Sequence, residues 1–449
     1  MAARSTAELK FTVCRRSAGM VIPTAPTPRE LKRLSDIDDQ ELLRLQFPVM
    51  IIFKRNKTSM LKDDDPAPVI RDAISRALIH YYPLAGRLRE LEGRKLAVDC
   101  TGEGVPFIEA DANVHLNDLG GNTGTLMPPF PCLHELIFVP AGRAGSSAIV
   151  NSPLLQFQLT RLACGGFILA MLCNHTIADA AGLLQFLGAV AELSRGASAP
   201  TVTPVWQREL LEANNPPRPR FAHREYGEEV AATEEAAMDM VPTDVDDMVL
   251  RSILFGRREI AMLRDHLPPD LRSSASTFDL LSGFLWKCRT AALAPEADQD
   301  MRFICTVDVR GRRNKARCVT AIPTGYYGNA MATPAAISMA GQLCTNPLSY
   351  AVKLVREAKA TVDMEYLQSV ADLKDLTMVS RGDLDFRWGS PMFSFLKGYS
   401  DSKGEKGIGV LICLPRLAMD KFGKEMGKMF PMSLHMVVAA AEKQPKSAL

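Results

Sequence analysis

Residues 167–190 read FILAMLCNHTIADAAGLLQFLGAV. Seven apolar residues, Phe167 to Cys173, form a short bounded run that predicts a buried strand. Asn174 and His175 interrupt it, Asp179 follows four residues after the histidine, and a second apolar stretch begins. That stretch, AAGLLQFLGAVAELSRG, has helical spacing and a closing glycine at Gly196. Asp179 stands where a helix N-cap stands, so its carboxylate has a structural role open to it: accepting a free backbone N–H. A buried strand passing through a short polar turn into an apolar-faced helix is the grammar of an α/β fold.

The grammar extends along the chain. LKFTVCRRS (9–17), FPVMIIFKRN (47–56), RKLAVDC (94–100) and VPFIEADA (105–112) predict strands, the last two joined by a Gly-bearing turn. DPAPVIRDAISRALIHYYPLAG (65–86) predicts a helix that starts near Pro66 and Pro68 and ends at Pro83. In the second half, STFDLLSGFLWKCRTAAL (276–293) predicts a helix capped by Ser276 or Thr277. MRFICTVDVRGRR (301–313) predicts a strand running into a basic turn, and GIGVLICLPRLAMDKFGKEM (407–426) a strand, a loop and a helix. Residues 196–247, rich in proline, alanine and acid with little periodicity, read as a crossing loop. Two domains of roughly 200 residues each are the expectation for 449 residues, with boundaries at 1–195 and 248–449.

Composition narrows the function. Charge is +2 with both signs interspersed, which offers no field for nucleic acid or a membrane surface. Ten cysteines without a C-x-x-C pair, and seven histidines without H-E-x-x-H, argue against a metal centre. No apolar run approaches the ~20 residues of a spanning helix, and the first 19 residues lack a secretory core. The chain reads as a reduced intracellular protein. Its last residues, Ser447-Ala448-Leu449, match the outer positions of the peroxisomal S-K-L address but lack the central base. Peroxisome and cytoplasm are the two expected locations.

His175, at the C-terminal end of a buried strand, is placed where ligand sites of α/β sheets gather. Near neutrality an imidazole can take a proton from an alcohol. From spacing alone, a structural histidine explains the residue equally well.

Its company adds to this. With HTIAD stand VDVRGRR (307–313), PTGYYGNA (323–330) and DFRWG (385–389). The set resembles the plant BAHD acyltransferases, a coenzyme A-dependent family with H-x-x-x-D-G-like and D-F-G-W-G motifs, across nearly the whole chain. LSDIDDQELLRLQFPV (34–49), YYPLAGRLRE (81–90), VDCTGEGVPFIEADA (98–112), PPFPCLHELIF (128–138) and VWQRELLEANNPPRP (205–219) are similar to its benzyl alcohol O-benzoyltransferase branch.

The resemblance implies two chloramphenicol acetyltransferase-like α/β domains with mixed sheets, joined by the long crossover loop, with a channel between them. It implies that His175 deprotonates a small alcohol, which attacks an acyl-coenzyme A thioester directly. Benzoyl-coenzyme A is the expected donor, coenzyme A is a co-substrate rather than a resident cofactor, and the protein is expected to act as a monomer. Asp179 is implied to pair with Arg310 and fix the loop presenting the imidazole, with Asp385 and Gly389 supporting the site. Trp388 reads either as the oxyanion donor, since an indole N–H only donates, or as a packed aromatic at a domain seam. Ser276, Thr277 and Arg312 read either as contacts to coenzyme A phosphate, a helix N-terminus plus guanidinium, or as solvated surface.

Two departures stand out. Arg387 occupies the place of the motif's first glycine, and the segments between SVADL and DFRWG, and after WGSP, are shorter than the family's pattern. Hence two alternatives: another acyl donor, such as hydroxycinnamoyl or acetyl, or another acceptor; and a catalytically weak homologue that binds acyl-coenzyme A.

Overall fold

The computed structural model describes residues 11–55, 65–119, 135–139, 149–225, 248–310, 322–376, 394–400, 405–430 and 436–437. The first half builds a six-stranded mixed sheet. Its order is Val13–Arg15, Val105–Ala112, Leu155–Leu162, Phe167–Asn174, Gln46–Phe53, with Gly19–Val21 also pairing Val105–Ala112. Only the Val105–Ala112 and Leu155–Leu162 pair is parallel. Pro48, which has no N–H to give a ladder, lies on the strand at the end of that order, where a proline is tolerated.

Alternation along Phe167–Asn174 decides what each face does. Phe167, Leu169, Met171 and Cys173 point into a core shared with Ile74, Leu78, Leu183 and Phe186, from helices Pro66–His80 and Ala180–Ser194. Ile168, Ala170 and Leu172 join apolar clusters separate from that core. The histidine that follows this strand is therefore held by a rung packed on both sides.

The second half builds an antiparallel sheet ordered Phe395–Ser400, Lys406–Pro415, Met248–Phe255, Met436–Val437. Helices Thr277–Leu293 and Arg416–Met429 pack their Leu281, Phe284, Met419 and Phe422 into its core. Two expectations need correction. The strand predicted from Met301 breaks at Cys305: Asp300–Ile304 pairs with Ala335–Met339, whereas Val307–Asp308 pairs with Met331–Ala332. The chain thus changes partner strand without a turn residue to announce it. No loop separates Lys406–Pro415 from the next helix either, because Pro415 is itself the N-cap of Arg416–Met429. Proline fits there, since the first N–H groups of a helix have no intrahelical partner.

Within the predicted crossing loop, residues 196–225 are described. They carry the short 3-10 helix Arg208–Leu211, and Arg208, Leu211, His223 and Glu225 are buried. This part is built into the body of the protein. Among the described residues no helix is long and apolar enough to cross a membrane.

Candidate active site

The strand carrying the site ends in a side-chain turn. Oδ1 of Asn174 accepts from the N–H and the hydroxyl of Thr176 at 3.1 and 2.8 Å, so the backbone leaves the sheet just as His175 is placed. His175 N–H donates to the Leu45 carbonyl at 2.9 Å, and its ring leans on Phe47 at 4.6 Å between centroids. Residue 175 is partly exposed where the residues around it are buried. Its Nδ1 is buried and has no hydrogen-bond partner among the described residues. Burial holds the imidazole pKa below the ordinary histidine value, against weaker opposing contributions from its own backbone, Asp179, Asn329 and Asp38. At neutral pH the ring is therefore uncharged and able to accept a proton.

Both oxygens of Asp179 are engaged away from chemistry. Oδ1 accepts from Gly182 N–H at 3.0 Å and caps helix Ala180–Ser194. Oδ2 accepts from Arg310 Nη1 at 2.8 Å and from Ala330 N–H at 3.0 Å. Arg310 donates further to Asp308 Oδ1 at 3.2 Å, to the Tyr326 carbonyl at 3.2 Å and to the Gly328 carbonyl. The first turn of the helix meets the same segment, since a Cβ on Gly182 would fall 2.0 Å from the Tyr327 carbonyl oxygen. One carboxylate thus joins the turn after His175 to Arg310 and Ala330.

A second buried hub escaped the sequence reading. Asp38, fully buried, accepts from Arg208 Nη1 at 3.0 Å on both oxygens, from Ser35 N–H and hydroxyl, and from Asn329 through N–H at 2.8 Å and Nδ2 at 2.9 Å. Arg208 Nη2 donates to the Ile177 carbonyl at 2.9 Å, and Asn329 Nδ2 to the His175 carbonyl at 2.8 Å. The guanidinium lies over the rings of Trp206, Tyr326 and Tyr327, 4.5 to 5.2 Å from their centroids. Two carbonyls of the His175 turn are therefore held by donors that Asp38 orients.

Ser276 and Thr277 lie at the start of helix Thr277–Leu293. Ser276 Oγ accepts from Asp279 N–H at 3.1 Å, Asp279 Oδ2 accepts from Ser276 N–H at 2.9 Å, and Lys359 pairs with Asp279 at 2.6 Å. This is a complete capping box with its charge neutralised. Its hydrogen bonds stay within the second half, apart from the His175 cluster. Arg312, Asp385, Arg387, Trp388 and Gly389 lie outside the described residues, as does Ser447-Ala448-Leu449. Among the described residues no group of His, Cys, Asp and Glu could hold a metal ion.

Comparison with known proteins adds a context to this geometry. The model described as "Transferase family" matches residues 11–382. Benzyl alcohol O-benzoyltransferases of Petunia hybrida and Nicotiana tabacum are each 45% identical over 461 aligned positions, covering 96% of this chain and 96% of theirs. Alcohol acyl transferase 1, allele GSa, of Malus domestica is 47% identical, covering 91% and 92%. Among solved structures, vinorine synthase superposes with a TM-score of 0.65 at 20% identity, over 91% of this chain and 96% of that one. TRI101 of F. graminearum, complexed with ethyl coenzyme A, gives 0.59 at 14% identity, over 88% and 97%. These two share the fold.

Proposed function

The chain belongs to the Transferase family, the BAHD acyltransferases, and on that premise we propose that it is an acyl-coenzyme A-dependent alcohol O-acyltransferase that joins a benzoyl group to benzyl alcohol. The observation that carries the reading is a partly exposed imidazole at a strand end whose turn is fixed by three separate parts of the chain. His175 Nε2 removes the hydroxyl proton as the alcohol oxygen attacks the thioester carbonyl. The tetrahedral oxyanion collapses, the C–S bond breaks, and the imidazolium returns its proton to the departing thiolate. Alcohol and thioester become ester and free coenzyme A, with no acyl-enzyme. Holding both substrates in line supplies the entropic part of the rate, and Trp388 N–H is the proposed donor to the oxyanion.

The test incubates purified protein with benzoyl-coenzyme A and benzyl alcohol and follows free thiol and benzyl benzoate. His175→Ala is expected to lower turnover by about 10²-fold or more; near-normal turnover in a folded alanine variant rejects the base. The 47% identity to an apple alcohol acyl transferase favours a second reading, other acyl donors or alcohols at the same site, and a donor and acceptor panel separates the two. Action as a monomer is a further proposal, carried by the family resemblance; sedimentation at assay concentration tests it.

The tail Ser447-Ala448-Leu449, with Lys446 beside it, supports a further proposal of peroxisomal residence. An N-terminal fluorescent fusion should form puncta that disperse when the last three residues are removed. Diffuse fluorescence with the tail intact rejects it.

A further inference from the structure

Nδ1 of His175 and Oδ1 of Asn329 are among the buried polar atoms at the site that lack partners among the described residues. Buried polar atoms left open in this way are uncommon and ask for an explanation. These two belong to residues already joined, because Asn329 Nδ2 donates to the His175 carbonyl at 2.8 Å. The amide cannot be the other way round. Its nitrogen faces the Asp38 carboxylate and the His175 carbonyl, both acceptors only, and an oxygen there would be repelled by each. With both Nδ2 hydrogens committed, the plane of the amide is set and its oxygen is left free. The Asn329 side chain is also among the groups that favour a proton on the His175 ring, through a hydrogen-bond interaction.

We propose that Asn329 is a positioning residue for His175: Oδ1 accepts a hydrogen bond from Nδ1–H in the working complex, which leaves the Nε2 lone pair free for the alcohol. The inference rests on the reading of His175 as the base. In free histidine the neutral ring carries its proton on either nitrogen; a base that works through Nε2 needs it on Nδ1, and the partner of the other nitrogen decides which form is held. Catalytic hydrogen bonds are often long in the unliganded protein and tighten on substrate binding. An amide oxygen suits this role because it is neutral and stabilises the imidazolium without taking the Nδ1 proton, so the proton gained at Nε2 is the one returned to the thiolate. Asp38 supports the arrangement by accepting from the Asn329 backbone N–H and from its Nδ2, and Arg208 balances its charge. The competing acceptor for Nδ1–H is His175's own carbonyl, which also accepts from Asn329 Nδ2.

Nitrogen-15 spectra of histidine-labelled protein, with the His175 ring assigned by its loss in His175→Ala, report which ring nitrogen carries the proton. The wild-type protein with coenzyme A and benzyl alcohol bound is expected to show Nδ1–H, and Asn329→Ala a shift toward Nε2–H. Turnover in Asn329→Ala should fall by about 10-fold or more, with KM for both substrates changed much less; loss of tautomer support in a serine-protease triad costs up to about 10⁴-fold. Nε2–H in the wild-type complex overturns the proposal, with no variant needed. So does Nδ1–H retained in a folded Asn329→Ala, which would make His175's own carbonyl the acceptor that holds the tautomer. If His175→Ala turns over normally, the base assignment fails instead, whatever the spectra of Asn329→Ala show.

Discussion

A Cβ atom on Gly328 would lie 1.2 Å from Nη1 of Arg208. The buried guanidinium runs through space that any side chain at 328 would fill, and the same Nη1 is tied to both oxygens of Asp38. Gly328→Ala is therefore expected to destabilise the fold by about 3 kcal/mol, the upper end of ordinary overpacking, measured as a lowered urea midpoint. An unchanged midpoint would mean the guanidinium has room that the packing denies.

Asp179 separates structure from chemistry. Its side chain is 6% exposed and that of Arg310 17%. Asp179→Ala removes a helix cap and one of the two carboxylates on Arg310, which keeps Asp308 at 3.2 Å. Leaving the Gly182 and Ala330 N–H groups and one guanidinium nitrogen short of an acceptor is expected to cost about 1–3 kcal/mol. Asp179→Asn keeps an acceptor for Gly182 N–H and should cost less. Thermal unfolding of the two variants checks the order. Wild-type stability with abolished turnover in Asp179→Ala would require a chemical role for the carboxylate.

The pH dependence follows from burial of His175. Since the folded ring has a pKa below its unfolded value of about 6.5, kcat/KM should keep its plateau below pH 6.5 and fall only at more acid pH. Stability is linked to the same shift. The unfolded chain binds the proton first as pH drops, so the contribution is complete above about 6.5 and is lost as pH falls toward the folded pKa. A kcat/KM profile with its acid limb centred above 6.5 would contradict the buried, neutral ring.

The crossing segment has its own buried polar strut. His223 Nε2 meets Ser369 Oγ at 2.7 Å, and its Nδ1 meets Glu225 Oε1 at 3.0 Å. Ser369 Oγ also accepts from Arg220 N–H at 2.8 Å, and Tyr366 donates to Glu225. His223→Leu withdraws the shared partner of a serine and a glutamate at 2% and 5% exposure, a loss of about 1–3 kcal/mol. Proteolysis should then cut within 206–225 sooner than in the wild type; equal resistance would deny the strut.

Local chemistry made the strand at Phe167, the Asp179 cap and the Ser276 cap legible, because each is written within three or four neighbouring residues. Helix Pro66–His80 was legible too, although it stops before Pro83, with Tyr81 as its C-cap and a 3-10 turn at Tyr82–Ala85. The break at Cys305 was not, since a change of partner strand leaves an apolar run unmarked. Asp38, Arg208 and Asn329 were invisible for a different reason. They lie 170 and 291 positions apart, and a carboxylate in SDIDD or an arginine in WQREL is compositionally an ordinary surface residue. Only the fold shows that both are buried and meet.

That separation also sets an order of events during synthesis. The strand and helix flanking His175 emerge early, yet the amide that grips the histidine's carbonyl leaves the ribosome more than 150 residues later. Until then Asp38 and Arg208 have each other but lack the group that connects them to the imidazole. Contacts this distant along the chain close late and slow folding, and N-terminal regions generally fold first during translation. A nascent or truncated chain ending before residue 329 would thus carry its histidine without the donor that holds the histidine's carbonyl.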